Sequence, residues 1–238
     1  MPIQTYHMRW PHLLLAVGLG LLAACGRPDP TTPAAPLAAT GSETVFAFDD
    51  MPVGAPPTGF RCAWPGPPEA KPARWEIVAD GAGRVLQQSD GDETNHRYPV
   101  ALWPGVQLAD VRATVRAKAI SGGRDRSFGV VVRAVDERNY YVARANTSGW
   151  GENIRLYRFV DGKRTELAEW EGPIARDDWH ELAVEVVGGT LTVMLDGRTV
   201  IRQADATFAG PGMCGVWTKA EAISRFDDLR ISPLGAAK

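Results

Sequence analysis

Short segments that alternate apolar and polar residues fill the chain from residue 44 to residue 231. They are rich in β-branched and aromatic residues, which favours strands with one buried face. Turn pairs such as Asp161-Gly162 and Asp196-Gly197 separate them, as is typical of two-residue hairpins. About a dozen strands joined in this way predict an all-β fold, a two-sheet antiparallel β-sandwich. The predicted strands are 45–48, 75–79, 84–88, 109–119, 128–135, 140–146, 153–160, 164–170, 179–187, 190–195, 198–203, 213–218 and 222–231.

One stretch predicts its strand pairing in detail. Residues 182–203 contain three strand segments, which are joined by Gly188-Gly189 and by Asp196-Gly197. Because both turns are short, we expect the three strands to form an antiparallel meander.

The N-terminus carries the features of a bacterial lipoprotein signal. Residues 13–24 are an uninterrupted apolar run, and a helix of this length covers about 18 Å, which is short of a bilayer core of about 30 Å. The run ends in a leucine and two alanines before Cys25, which resembles a lipobox. We predict a signal peptide over residues 1–24 and lipidation of Cys25; ordinary secretion with Cys25 as a bystander is the alternative. Gly26 after the cysteine, rather than an aspartate, favours the outer membrane of a Gram-negative envelope.

The remaining chain divides into a tether, a domain and a tail. Residues 25–43 are rich in Pro, Ala and Thr and predict an extended tether. The β-sandwich domain is expected over residues 44–232, and residues 233–238 are expected to form a C-terminal tail. The net charge of −2 offers no basic excess for a nucleic acid partner. Membrane attachment is therefore expected through lipid.

Two further cysteines lie in the domain. Cys62 and Cys214 are a pair in a chain destined for an oxidising compartment, which favours a disulfide between them. Two buried free thiols are the alternative.

Several motifs in order resemble the concanavalin A-like lectin/glucanase superfamily, and more narrowly its laminin-G-like and 3-keto-disaccharide-hydrolase-like domains. The resemblance implies a curved jelly roll of two antiparallel sheets, with ligands on the concave face or on loops at its rim, and calcium in some members. The fold by itself does not determine the function. The motifs are 129–146 (GVVVRAVDERNYYVARAN), 154–162 (IRLYRFVDG), 179–180 (WH), 195–198 (LDGR) and 215–231 (GVWTKAEAISRFDDLRI).

Catalytic signatures are weak in this sequence. A retaining glycosidase needs two carboxyl groups about 5–5.5 Å apart, and the E-x-D-x-x-E signature of the laminarinase branch is missing. Glu181 and Glu185 share one face of a strand whose other face is apolar, so both are predicted to be solvated acids. His96 lies in a polar loop, and His180 begins a strand. We therefore predict no catalytic residue.

Calcium is a possible cofactor at two places. Asp227 shares strand parity with apolar residues, so either a bulge shifts the register or its carboxylate points inward. Asp49 follows the first strand much as Asp227 follows its own phenylalanine, so these two acids are candidate metal ligands. The loop 90–95 (DGDETN) gathers further oxygen ligands, although it lacks the full spacing of a calcium loop.

The hairpin 128–146 supplies the candidate ligand site. If Val135 pairs with Tyr140, then Arg133, Tyr140 and Arg144 share one sheet face, which is unlike a core. Arginine and asparagine side chains bind sugars in planar geometry, and aromatic rings stack on them. The predicted ligand-binding residues are Arg133, Tyr140, Arg144, Asn146 and Trp150. An ion-paired sheet face without ligand, and a tryptophan that packs on a neighbouring loop, are the alternatives.

These observations lead to one functional hypothesis and two alternatives. The first is a cell-envelope lipoprotein whose lectin-like domain binds glycan or another envelope component without catalysis. The second is a sugar-active enzyme resembling 3-keto-disaccharide hydrolases or other glycoside hydrolases. The third is a scaffold that binds only protein.

Overall fold

The computed structural model describes residues 42–149 and 151–235, so the predicted signal peptide, lipidation site and most of the tether lie outside the described residues. Fifteen β-strands and no helix occur in the described part. Within it, no helix has the length and apolarity needed to cross a membrane. The strands are β1 (Thr44–Phe46), β2 (Arg61–Ala63), β3 (Trp75–Asp80), β4 (Gly83–Gln88), β5 (Val100–Leu108), β6 (Val111–Ser121), β7 (Ser127–Asp136), β8 (Asn139–Asn146), β9 (Asn153–Val160), β10 (Lys163–Glu171), β11 (His180–Val187), β12 (Thr190–Leu195), β13 (Arg198–Ala204), β14 (Gly212–Trp217) and β15 (Ile223–Pro233).

The strands form two antiparallel sheets. The eight-stranded sheet has the order β13-β12-β11-β6-β15-β4-β3, and β1 pairs with β15. The seven-stranded sheet has the order β10-β9-β8-β7-β14-β5-β2. The predicted all-β, two-sheet sandwich is confirmed. Neighbours such as β6 and β15 are far apart in sequence, so the sheets depend on long-range pairing.

Local turn chemistry sets the hairpins. Asp161 and Gly162 have φ of 50° and 75°, and Asp196 and Gly197 have φ of 49° and 76°. Positive φ at both central residues is the pattern of a type I′ turn, whose twist matches that of the flanking strands. The predicted meander is confirmed, because β12 pairs with both β11 and β13.

The inner faces of both sheets share one apolar core. Trp75 of β3, Phe128 of β7 and Phe226 of β15 are among its buried aromatic residues. A register shift follows Asp227, and Asp228 has φ of 47°. This bulge explains the parity of the last strand, because both Phe226 and Leu229 are then buried in the core.

The two domain cysteines are free thiols. Cys62 on β2 pairs with Ala101, and Cys214 on β14 pairs with Trp103, so β5 separates the two cysteine-bearing strands. Two strand spacings are about 10 Å, beyond the about 7 Å limit between Cα atoms for a disulfide. The predicted Cys62–Cys214 disulfide is therefore wrong for this fold. Burial raises the pKa of Cys62 to about 11 and the pKa of Cys214 to about 12, so both stay protonated at neutral pH.

A second apolar cluster covers the other side of the seven-stranded sheet, which we call the outer face. Its residues come from β5, β7, β8, β9 and β14 and alternate with residues of the inner core. Tyr98 joins this cluster from the segment before β5: its ring stacks on Trp217 at 5.8 Å and meets Phe159 edge-on at 4.8 Å. The segment that carries Tyr98 therefore lies across one end of the outer face.

Arg97 fixes that segment. Its side chain is 0% exposed, and it donates to the carbonyl oxygens of Lys71 (2.9 Å), Pro72 (3.3 Å) and Ala220 (3.1 Å). It also lies 3.3 Å from Asp90 Oδ1. Because one guanidinium joins three chain segments, the geometry at this end of the outer face depends on it.

Candidate functional site

Polar side chains of three neighbouring strands lie together on the outer face. In the register of β8 and β9, Arg144 pairs with Arg155 and Asn146 pairs with Asn153. On β10, Glu169 pairs with Arg155. Cross-strand partners point to the same side of a sheet. These five residues form what we call the polar patch.

Arg144 is the most buried charge of the patch, with 5% exposure. Its Nη2 lies 3.5 Å from Asp125 Oδ1, and Asp125 also accepts from Lys219 Nζ at 2.5 Å. Arg144 Nε is buried without a hydrogen-bond partner among the described residues. Burial lowers the pKa of Arg144, and the neighbouring Tyr157 and Asp125 offset this only in part. The guanidinium is thus held in place with unused donor capacity.

Arg155 is compensated differently. It donates to Glu169 at 2.6 Å and lies 3.5 Å from Glu166 Oε2. Burial alone would lower the pKa of Arg155, but the bonds to Glu169 and Tyr157 raise it. Two like charges directly opposite repel. The carboxylates around them let Arg144 and Arg155 share the face.

The two asparagines continue the patch toward the β8–β9 loop. Asn146 accepts from the Arg126 backbone N–H at 3.3 Å and donates to Ser148 Oγ at 2.7 Å. Asn153 Oδ1 is buried and has no hydrogen-bond partner among the described residues. The patch therefore offers an open donor and an open acceptor on adjacent strands.

A cleft of about 660 Å³ lies at the Tyr98 end of the outer face. The guanidinium carbon of Arg164 stands 5.6 Å from the Tyr98 ring centroid and 4.7 Å from that of Tyr157. Tyr157 connects the cleft to the polar patch, because it lies under Arg164 and two positions from Arg155 on the same face of β9. The cleft is lined by Pro65, Gly66, Pro67, Glu69, Asn95, His96, Tyr98, Arg138, Gly162, Lys163 and Arg164.

Arg133 does not share the face of Arg144, so this part of the predicted site is wrong. Near the end of β7 the pairing shifts register, and Arg133 has φ of 49°. Its side chain donates to the carbonyl oxygens of Ala109 (2.6 Å) and Phe208 (2.9 Å) and to Asp110 Oδ1 (3.3 Å). A bulge turns a side chain out of the strand alternation. Arg133 therefore anchors loops instead of meeting a ligand.

Tyr140 is on the outer face as predicted, but it is completely buried. Its hydroxyl accepts from Trp217 Nε1 at 3.2 Å, and its ring stacks on Phe159 at 4.6 Å. A ligand above this face cannot reach it, so Tyr140 supports the site from below. Trp150 lies outside the described residues, and its role stays a prediction.

The candidate metal ligands Asp49 and Asp227 lie near the same end of the eight-stranded sheet. Asp49 Oδ1 accepts from the Arg84 backbone N–H at 2.8 Å, and Asp227 Oδ2 accepts from Arg116 at 3.2 Å. Burial raises the pKa of Asp227, and the Asp49 charge adds to that effect. Across residues 42–149 and 151–235, no group of three or more His, Cys, Asp or Glu side chains is arranged to hold a metal ion.

The acidic loop 90–95 directs its oxygens to protein donors. Asp92 accepts from the backbone N–H groups of Lys71 (2.7 Å) and Thr94 (3.1 Å). Burial alone would raise the pKa of Asp92, but these bonds and the charge of Arg97 lower it. The loop is thus tied to Arg97, and calcium here stays a prediction.

The two histidines differ in setting. His180 is buried, with Nε2 2.8 Å from the Ala175 carbonyl oxygen and Nδ1 2.8 Å from Asp196 Oδ2, so both nitrogens are engaged in structural contacts. His96 lines the cleft, and its Nδ1 lies 3.0 Å from the Tyr98 hydroxyl. Glu185, expected to be solvated, is buried 3.3 Å from Arg112.

The ligand-binding residues predicted from the sequence did not include Asn153, Arg155 and Tyr157. The signal was present, because these three share strand parity in β9 while the residues between them are apolar. On β8, the predicted Arg144 pairs with Arg155, and the predicted Asn146 pairs with Asn153. Applying the same alternation to the next strand, β9, would have placed these residues on the face of Arg144 and Asn146. The cleft had no such signal, since it draws on four separate parts of the chain.

No protein-family model matches the sequence, and no curated protein matches it. Solved structures do. The carbohydrate binding module CBM66 from Bacillus subtilis aligns with a TM-score of 0.54 at 20% identity, over 71% of this chain and 94% of that one. A Bacillus subtilis protein of unknown function with a galectin-like fold aligns with a TM-score of 0.52 at 11% identity, over 75% and 90%.

The exoplasmic/lumenal domain of VIP36, solved in a Ca²⁺/mannose-bound form, aligns with a TM-score of 0.52 at 14% identity, over 74% of this chain and 84% of that one. At these identities the three similarities show a shared fold. The chain has the fold of a two-sheet, galectin-like jelly roll.

Proposed function

We propose that this protein is a cell-envelope lipoprotein whose jelly roll binds glycan, without catalysis, at the polar patch of the outer face. Two proteins of similar fold support a sugar ligand, because one is a carbohydrate binding module and the other was solved with mannose bound. The chemistry of the patch supports it independently. Sugar hydroxyls donate and accept hydrogen bonds, and the patch presents both kinds of partner.

One observation carries the proposal. Arg144 Nε and Asn153 Oδ1 are both buried and unpartnered in the part of the chain that the structure describes, and they lie on adjacent strands of one face. Most buried polar groups are hydrogen-bonded, and an open one is costly. Once the side chains of the patch shift to expose these two atoms, an oligosaccharide hydroxyl can accept from Arg144 and donate to Asn153. The ligand would thereby complete the hydrogen bonding of the face.

Arg144→Ala should weaken glycan binding by more than tenfold, about 1.4 kcal/mol, because it removes the donor at the centre of the patch. The measurement is a glycan array followed by titration of each bound glycan with the full chain purified in detergent. Arg202→Ala is the matched control: Arg202 is exposed on β13 of the other sheet and should bind like the wild type.

Equal affinities for the Arg144 and Arg202 variants would move the site elsewhere. Release of free sugar from a bound glycan would favour the enzyme resembling 3-keto-disaccharide hydrolases. Retention of protein partners alone, with no glycan bound, would favour the scaffold.

The envelope location rests on Cys25 and is tested separately. Intact-mass measurement of the mature protein should show an N-terminal cysteine that carries lipid, because the apolar run and small residues before Cys25 suit lipoprotein processing. Cys25→Ala should remove the added mass and the partition into detergent. An unmodified N-terminus in the wild type would contradict the anchor while leaving glycan binding intact.

A further inference from the structure

We propose that the cleft beside the polar patch holds the anionic group of an acidic glycan, with Arg164 as its principal contact. This inference rests on the proposed glycan binding and extends it to the charge of the ligand. It concerns residues outside the polar patch, so the two can fail separately.

The charge of the cleft lining is uneven. Three long basic side chains, Arg138, Lys163 and Arg164, face a single carboxylate, Glu69. No ion pair involves any of these four residues within residues 42–149 and 151–235. Unpaired cations that converge in a concave site repel each other and attract an anion. The chain as a whole is acidic, so this local excess is a property of the cleft.

Arg164 has the geometry of a preformed anion receptor. Its guanidinium lies over the rings of Tyr98 and Tyr157, which fixes its plane by cation–π attraction. The guanidinium makes no hydrogen bond or ion pair with any described residue, so its N–H donors remain open. A planar guanidinium with free donors binds carboxylate or sulfate oxygens in pairs.

The surroundings hold Arg164 in place before any ligand arrives. The Asp161-Gly162 turn before it is tied to the neighbouring hairpin, because the Asp161 N–H donates to Asn139 Oδ1 at 2.9 Å. Arg138 donates to the Asp161 carbonyl oxygen at 2.6 Å. A rigid receptor loses little conformational entropy on binding. Lys163, the exposed neighbour of Arg164, also lines the cleft and adds a second positive charge to its lining.

The test uses glycan pairs that differ in their acidic groups. Oligogalacturonate is compared with its methyl ester, and dextran sulfate with dextran, by titration of the full chain in detergent. We expect at least one acidic member to bind at least tenfold more tightly than its neutral twin. The pair that shows the preference tells whether the anion is a carboxylate or a sulfate.

Variants assign the preference to the cleft. Arg164→Gln should remove most of the acid preference and leave the affinity for the neutral twin unchanged. Lys163→Gln should reduce it in part, and it keeps the test open if Arg164→Gln folds poorly. Arg202→Gln, which removes the same charge from the opposite sheet, should bind both twins like the wild type.

The outcomes separate the two proposals. If twins bind equally, if neither acidic probe binds, or if the preference survives both cleft substitutions, the acidic cleft is refuted. Glycan binding that Arg144→Ala weakens for acidic and neutral members alike would still stand. A loss of acid preference in Arg164→Gln, with neutral affinity retained, supports the cleft.

Discussion

Replacing Arg97 by leucine is expected to lower the free energy of unfolding by about 3–5 kcal/mol. The guanidinium is completely buried, and the substitution removes its donors from the carbonyl oxygens of Lys71, Pro72 and Ala220. It also leaves Asp90 and Asp92 without the cation that faces them. Urea unfolding followed by tryptophan fluorescence measures the change.

A second arginine gives the matched control for this substitution. The side chain of Arg74 is 69% exposed in its 2.7 Å ion pair with Glu76. Exposed pairs of this kind contribute less than about 1 kcal/mol, so Arg74→Leu should be nearly neutral. Similar losses for the two variants would show that Arg97 does not fix the segment that crosses the outer face.

Trp217→Ala is expected to destabilise the protein by about 3–5 kcal/mol. Trp217 is 0% exposed, and its removal opens a cavity in the outer-face cluster. The Tyr140 hydroxyl loses its donor, and the Tyr98 ring loses its stacking partner. The Arg164 guanidinium lies over the Tyr98 ring. A displaced Tyr98 should therefore also lower the preference of the cleft for acidic glycans. Unfolding free energy and oligogalacturonate affinity are the two measurements.

Trp64→Ala serves as the comparison for Trp217→Ala. Trp64 is 39% exposed, beside the cleft, and it buries less apolar surface. Its truncation should cost less than Trp217→Ala, since the change scales with the apolar area removed from water. Equal destabilisation at the two positions would contradict the assignment of Trp217 to the packed centre of this face.

The bulges mark the boundary of what strand parity can predict. Alternation placed Arg144 and Asn146 on one face correctly, because β8 is regular from end to end. The same reasoning failed for Arg133, where φ is 49° and the register between β7 and β8 shifts. A bulge is stabilised by the loops that it contacts, and those loops come from distant sequence.

Two strands also escaped prediction. β2 has only three residues, and β5 contains Pro104 and Gly105, which ordinarily argue against a strand interior. Both form because β14 pairs with β5, and β5 in turn pairs with β2. The position of β5 between β14 and the cysteine-bearing β2 excludes the predicted disulfide.

The sequence by itself determined every strand except β2 and β5, the two-residue turns, the three-stranded meander and the two-sheet class, because period-two alternation and turn residues act within a few positions. Only the tertiary structure decided the strand order, the burial of Tyr140, the separation of Cys62 from Cys214 and the formation of the cleft that Arg164 lines. The physical reason is range. A residue's face follows from its neighbours in the chain, whereas its burial and its open hydrogen bonds depend on segments that only long-range strand pairing brings together.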